Sequence, residues 1–231
     1  MKRYVIGNWK SHKSSDDGRR WFDRFAALYR PHREVQVIVA PSMVSLESIA
    51  VHLASLSLEN VSLAAQDISP FPKGSYTGAV AADLVVKMAG YAIIGHSERR
   101  RYFHETSQDV VNKVTEAADS GLTPIVCVDS PHSLAQLVAL ADIECQQLLI
   151  AYTPVDALNF NIPESLAKVV EAVEHIRLKF PAFPVVYGGA LIPGNVKDYL
   201  QLPTLSGVFV GSSSLEPETF ADICNQATLV L

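Results

Sequence analysis

Apolar and polar positions alternate along this chain in blocks rather than residue by residue. Short, β-rich apolar runs recur at residues 4–7, 35–40, 61–65, 92–94, 124–128, 148–151, 185–187 and 208–210. Each is almost wholly apolar, as expected of strands covered on both faces. Between them lie segments with helical spacing. In 16–28, Trp21, Phe22, Phe25 and Leu28 fall on one face. Further helices are expected over 45–53, 81–88, 107–118, 133–140, 164–180, 193–200 and 218–228, with Pro163 placed to open the longest of them. Strand followed by helix, eight times over, predicts an α/β fold with a parallel (β/α)8 barrel. No linker, low-complexity tract or charge block divides the chain, so one domain over 1–231 is expected.

Composition narrows the class. The 231 residues are 48% hydrophobic, which supplies a sizeable core. A net charge of −5 and a pI near 5.8 argue against a nucleic-acid or anionic-membrane surface. No run is long enough to span a membrane, and the N-terminus lacks the apolar stretch of a signal peptide. Cys127, Cys145 and Cys224 stand far apart with no disulfide or metal spacing. A cytoplasmic protein is expected.

In a barrel of this kind the chemistry sits where the strands end. The first apolar run is followed by Gly7-Asn8-Trp9-Lys10, where Lys10 offers a compact positive charge and Asn8 can position it. The fourth is followed by Gly95-His96-Ser97-Glu98-Arg99-Arg100. A neutral imidazole there can donate to a carbonyl oxygen and polarise it. Glu98 is either a second working carboxylate or the partner of Arg99 or Arg100. A metal site built on His96 and His104 fits no familiar spacing. The seventh and eighth runs are followed by Tyr187-Gly188-Gly189-Ala190 and Gly211-Ser212-Ser213-Ser214. Glycines let backbone amides approach an anion, and the loops after strands seven and eight commonly bind phosphate. A lone lysine, histidine or glycine turn is more often structural. The combination at the right strands points to a phosphorylated ligand.

Taken together, GNWK at 7–10, AQDISPFPKGSYTGA at 65–79, YAIIGHSERR at 91–100, PIVCV at 124–128 and YGG at 187–189 resemble the triosephosphate isomerase family. The likeness runs in order over nearly the whole chain. It implies a TIM barrel that interconverts glyceraldehyde 3-phosphate and dihydroxyacetone phosphate without cofactor or metal. By that resemblance Lys10 contacts substrate and Asn8 holds the first loop. His96 is the electrophile at the carbonyl, with Glu98 beside it, and Gly189, Gly211 and Ser212 bind phosphate. The loop around Thr77 reaches into a second subunit, which implies a homodimer.

The chain departs from that pattern where the catalytic base belongs. The family reads alanine-tyrosine-glutamate-proline-valine-tryptophan; this chain reads Ala151-Tyr152-Thr153-Pro154-Val155-Asp156. Thr153 stands at the position of the glutamate that moves protons between substrate carbons, and a hydroxyl is a negligible base at neutral pH. The lid that follows, residues 157–162, is shorter than the family's and has no glycine. Ala190 replaces a serine, Ser212 a glycine, Asp129-Ser130 a glycine-glutamate pair and Ala79 an interface glutamate. The segment from Cys127 to Ala151 is shortened. Strands one to four keep their site residues, and loops five to eight carry nearly all the changes.

Three functions compete on this reading. The first is a weak or inactive triosephosphate isomerase, with Asp156, Glu98 or Glu105 as substitute carboxylates. Pro154 fixes the local chain direction and argues against Asp156. The second is an isomerase or lyase for another sugar phosphate, one that uses the room left by Thr153 and carries its own base. The third is a non-catalytic protein that binds a phosphorylated metabolite or a partner.

Overall fold

The computed structural model describes residues 2–130 and 145–230. Eight parallel strands close into a barrel in sequence order, β8 returning to β1. They are β1 Arg3–Asn8, β2 Val35–Ala40, β3 Val61–Ala65, β4 Tyr91–Ile94, β5 Thr123–Val128, β6 Leu149–Tyr152, β7 Val185–Tyr187 and β8 Gly207–Val210. All eight expected strands are present within one residue at each end. The expected (β/α)8 architecture is therefore the observed one.

The uniform apolarity of the strands has a direct cause, because both faces are buried. Ile6, Ile38, Ile93, Ile125, Leu149 and Phe209 fill the barrel interior, while Val5, Val37, Ile94, Val126, Ile150 and Val208 pack outward against helices. Successive residues point to opposite faces. In β6 this sends Leu149 and Ala151 inward and Ile150 and Tyr152 outward. The next residue, Thr153, is thereby returned to the interior at the top of the strand. At the seam between β1 and β8, a Cβ on Gly207 would lie 1.9 Å from the Tyr4 carbonyl oxygen, so only glycine allows this approach.

The helices among the described residues are α1 Ser15–Leu28, α2 Leu46–Ser55, α3 Ala82–Val85, α4 Ser97–Tyr102, α5 Ser107–Asp119, α6 Val155–Phe160, α7 Leu166–Lys179, α8 Val196–Leu200 and α9 Pro217–Thr228. Capping boxes start α1 (Ser14 with Asp17) and α5 (Thr106 with Asp109). In α1, Trp21 stacks on Phe25 at 4.9 Å and meets Phe220 of α9 at 5.8 Å, which ties the first helix to the last. The helix expected at 133–140 lies outside the described residues.

Three expectations change. The helix expected from residue 164 begins at Leu166, with the Ser165 hydroxyl accepting from Lys168 N as its cap. Pro163 precedes it. The helices expected over 81–88 and 193–200 shrink to α3 and α8, of four and five residues. Two short helices, α4 and α6, occupy segments in which no helix is expected from apolar spacing. No helix among the described residues is long and apolar enough to cross a membrane.

Candidate active site

The C-terminal ends of the strands surround a cavity of ≈ 200 Å³. Asn8, Lys10, His96, Thr153, Gly189, Gly211 and Ser212, all singled out in the sequence, line it together. Glu98 does not line it but binds a residue that does.

The first strand delivers Lys10 at a local conformational cost. Lys10 has φ 53°, in the left-handed region that L-residues seldom occupy. Two bonds hold it there: its N–H donates to Asn8 Oδ1 at 2.9 Å, and its carbonyl accepts from Gln66 Nε2 at 2.7 Å. Its ammonium then reaches Glu98 Oε1 at 2.5 Å. Glu98 is thus the partner of Lys10, not of Arg99 or Arg100.

His96 caps α4: its Nδ1 accepts from the N–H of Glu98 at 3.2 Å. In a neutral ring that assigns the remaining proton to Nε2. Burial pushes the imidazole down to about 4, with Glu98 pulling the other way and Lys10 and Arg100 reinforcing the shift. At neutral pH His96 is therefore an uncharged donor that is only 5% exposed.

The arginines after Glu98 are staples. Arg100 donates to the Gly95 carbonyl, to the Cys127 carbonyl at 3.1 Å and to Asp129 at 2.8 Å. Arg99 bridges Asp67 and Glu105, each at 2.8 Å, and Lys113 joins the same two carboxylates at 2.6 and 2.7 Å. This cluster holds Glu105 through Oε2, and Glu105 is not among the residues lining the cavity, which argues against it as a substitute base. His104 belongs to no metal cluster, and none occurs among the described residues.

The sixth strand brings Thr153 to the cavity at 1% exposure. Its Oγ1 is buried with no partner in good hydrogen-bond geometry, although its side chain lies close enough to the Cys127 thiol to favour the thiolate. Below it the Cys127 thiol, wholly buried, is pushed up to about 12, chiefly by loss of solvent. Asp156 is exposed and faces a different cavity, outside the barrel, with Asp129 and Glu164. The exclusion expected from Pro154 agrees with this placement.

The lid segment folds as α6, which ends where Asn161 turns left-handed at φ 52°. Leu158 and Asn161 reach the cavity and help roof it. Three tyrosines fix the far end of the segment at Glu164. Tyr152 donates to its carboxylate at 2.8 Å, Tyr199 donates to its carbonyl at 2.5 Å, and its N–H donates to the Tyr187 hydroxyl at 2.9 Å. Burial, as the leading cause, raises the pKa of all three phenols.

On the adjoining strand end, Gly188 and Gly189 permit close packing. A Cβ on Gly188 would lie 2.6 Å from the Phe209 carbonyl, and one on Gly189 would lie 2.7 Å from the Tyr187 hydroxyl. No backbone acceptor takes up the N–H of Gly189 or of Ser212 among the described residues. Both remain available to an anion. Leu158 and Asn161 of the expected lid and Phe209 of the eighth strand also line the cavity, as does His12, which was not singled out in the sequence. His12 lies two residues past Lys10, the only hint of it available from sequence.

The cavity therefore offers an ammonium, a neutral imidazole donor and unpaired amides. It contains no aspartate or glutamate among the described residues. Such a set can bind an anion and stabilise charge on an oxygen.

The family model described as triosephosphate isomerase matches residues 3–227. The chain is 31% identical over 254 residues to the triosephosphate isomerase of Francisella philomiragia, covering 100% of this chain and 99% of that protein. It is 31% identical to that of Gloeobacter violaceus, covering 97% and 99%, and 30% identical to that of Mesomycoplasma hyorhinis, covering 95% and 96%.

Proposed function

The chain belongs to the triosephosphate isomerase family, and from that premise we propose that its cavity binds a phosphorylated three-carbon sugar and interconverts aldose and ketose only weakly. The observation that carries this reading is the composition of the cavity. Lys10, His96 and the amides of Gly189 and Ser212 meet there, and Thr153 rather than a carboxylate stands at the end of the sixth strand.

In the proposed roles, the amides of Gly189, Gly211 and Ser212 hold the phosphate. Lys10, positioned by Asn8 and Glu98, supplies positive charge. His96 Nε2–H donates to the substrate oxygen, and its neutrality lets it do so without surrendering a full proton. Thr153 occupies the place of the base and cannot perform its task. A general base contributes ~10²–10⁴ in rate. Turnover is expected to fall below that of a complete catalyst by about that factor.

The same reading assigns a homodimer built through the loop around Thr77. Residues 71–79 are exposed, and Phe71 stacks on Tyr76 at 4.6 Å with both rings 43% accessible.

Calorimetry with dihydroxyacetone phosphate tests the binding half of the proposal, and turnover of glyceraldehyde 3-phosphate tests the chemical half. Binding weakened at least about tenfold by Lys10→Met, with slow turnover, is the expected result. Turnover at the rate of a complete family member would overturn it.

A further inference from the structure

The first loop brings a second imidazole to the cavity. His12 lines the cavity, is exposed to solvent at its mouth and has no hydrogen-bond or ion-pair partner among the described residues. Its placement is fixed from both sides. Lys10 and Lys13 flank it, left-handed at φ 53° and 64°. The Lys10 carbonyl accepts from Gln66 Nε2 at 2.7 Å. The Lys13 carbonyl accepts from the hydroxyls of Ser42 and Ser45 at 3.1 and 3.3 Å, and the Lys13 ammonium lies 5.7 Å from the centre of the Trp9 ring. Ser11 and His12 are slung between these anchors. Two left-handed lysines so close together are a strained arrangement, which persists only where surrounding bonds over-determine it.

Taking a proton from carbon requires a group that accepts it near neutral pH and gives it back. Among the described residues lining the cavity, the side chains of Lys10, His12 and His96 carry a basic nitrogen. The Lys10 ammonium is held by Glu98 at 2.5 Å. His96 Nδ1 accepts from the Glu98 N–H, and burial keeps that ring an uncharged Nε2–H donor. His12 has both nitrogens free, and imidazole is the side chain that ordinarily titrates near neutrality. We propose that His12 is the base through which this chain carries out its slow isomerisation. The ring takes a proton from the hydroxymethyl carbon beside the carbonyl of dihydroxyacetone phosphate. The C–H electron pair becomes the carbon–carbon double bond of an enediolate, and the carbonyl oxygen takes the charge facing His96 and Lys10. The imidazolium returns its proton to the neighbouring carbon, and one proton passes between the two oxygens through solvent at the open mouth. No other reactant is consumed. The inference rests on the proposed triose phosphate chemistry and names its base. An exposed ring on a loop is held less precisely than a carboxylate at a strand end, which accords with weak turnover.

The test is deuterium incorporation at the hydroxymethyl carbon of dihydroxyacetone phosphate in heavy water, followed by NMR against protein-free buffer. The unaltered chain is expected to exchange above buffer, and His12→Ala to reduce that excess at least about tenfold. Added imidazole is expected to restore exchange in His12→Ala without raising it in the unaltered chain, a response that a merely structural role would not give. Calorimetry is expected to find dihydroxyacetone phosphate bound by His12→Ala within about twofold of the unaltered chain. Exchange undiminished in His12→Ala would overturn His12 as the base and leave the weak isomerase standing. Exchange lost together with binding, and not restored by imidazole, would overturn it in favour of a binding role. An unaltered chain that binds the sugar phosphate but exchanges nothing above buffer would overturn the base and leave the binding half of the proposed function. One that does neither would overturn the proposed function as well. His12→Gln, closer to imidazole in size, gives the same comparison if the alanine variant fails to fold.

Discussion

Substituting Thr153 by glutamate isolates the missing base. The position points into the barrel mouth because Ala151, two residues earlier, faces the interior. Glutamate is unbranched at Cβ and so lacks the methyl that Thr153 turns toward Gly188, where only the absent Cβ keeps the two apart. The rest of the longer chain enters a cavity of ≈ 200 Å³ that holds Lys10 and no acid among the described residues. A carboxylate placed there loses solvent, which raises its pKa toward the useful range for a base. It also draws the His96 imidazole upward from about 4, but from that starting point the ring stays neutral at pH 7.

With the electrophile and ammonium already in place, kcat for glyceraldehyde 3-phosphate is expected to rise by ~10²–10⁴, equivalent to about 3–5 kcal/mol of barrier. The assay follows dihydroxyacetone phosphate with a coupling dehydrogenase. Thr153→Gln, similar in shape and without basicity, is the control and should stay at the level of the unaltered chain. If the Glu and Gln variants fold equally well and turn over equally slowly, the missing base is not the deficit. The lid or the phosphate loops would then be the limiting defect.

Asp156→Asn should leave turnover within about twofold of the unaltered chain, because Asp156 is exposed on a separate cavity; the same coupled assay reads it. Lys113→Met should cost about 3–5 kcal/mol in urea unfolding, because it strips one of two cations from the buried carboxylate of Glu105 and the half-buried one of Asp67. His96 gives a pH dependence of defined sign. Its pKa falls from 6.5 unfolded to about 4 folded, so the unfolded chain binds the proton first. The stability it supports is complete above pH 6.5 and is lost as pH falls toward 4, up to about 3 kcal/mol. Urea unfolding of His96→Gln should show a flatter slope than the unaltered chain across that window, and parallel slopes would refute the assignment.

The barrel was legible in the sequence because strands buried on both faces leave an unmistakable record, and because helices such as α1 and α5 carry both a face and a cap. The missing elements had neither. Ser97–Tyr102 is mostly charged and Val155–Phe160 spans six residues, so each is held by its surroundings rather than by an apolar period. Ser165 rather than Pro163 starts α7 because three tyrosines already hold Glu164 outside the helix. The site was legible as a set of strand ends, but its wiring was not. Nothing in the local sequence shows that Glu98 crosses to Lys10, 88 positions away, instead of pairing with its neighbouring arginines.

That wiring bears on how the retained motifs should be read. Asn8 and Gln66 hold the left-handed turn at Lys10, His96 caps α4, and Arg99 and Arg100 fasten that helix to the loops after strands three and five. Each of these residues makes bonds whose loss would strand a buried or strained group, whatever the chemistry. Folding therefore accounts for part of the intact look of GNWK and GHSERR. Thr153 is different. Its hydroxyl meets only the Cys127 thiol and holds no strained or charged group in place, so stability places little demand on which side chain stands there. Among the residues lining the cavity, this is the position where function and structure separate most cleanly. Its identity says more about catalysis than the motifs that make the family recognisable.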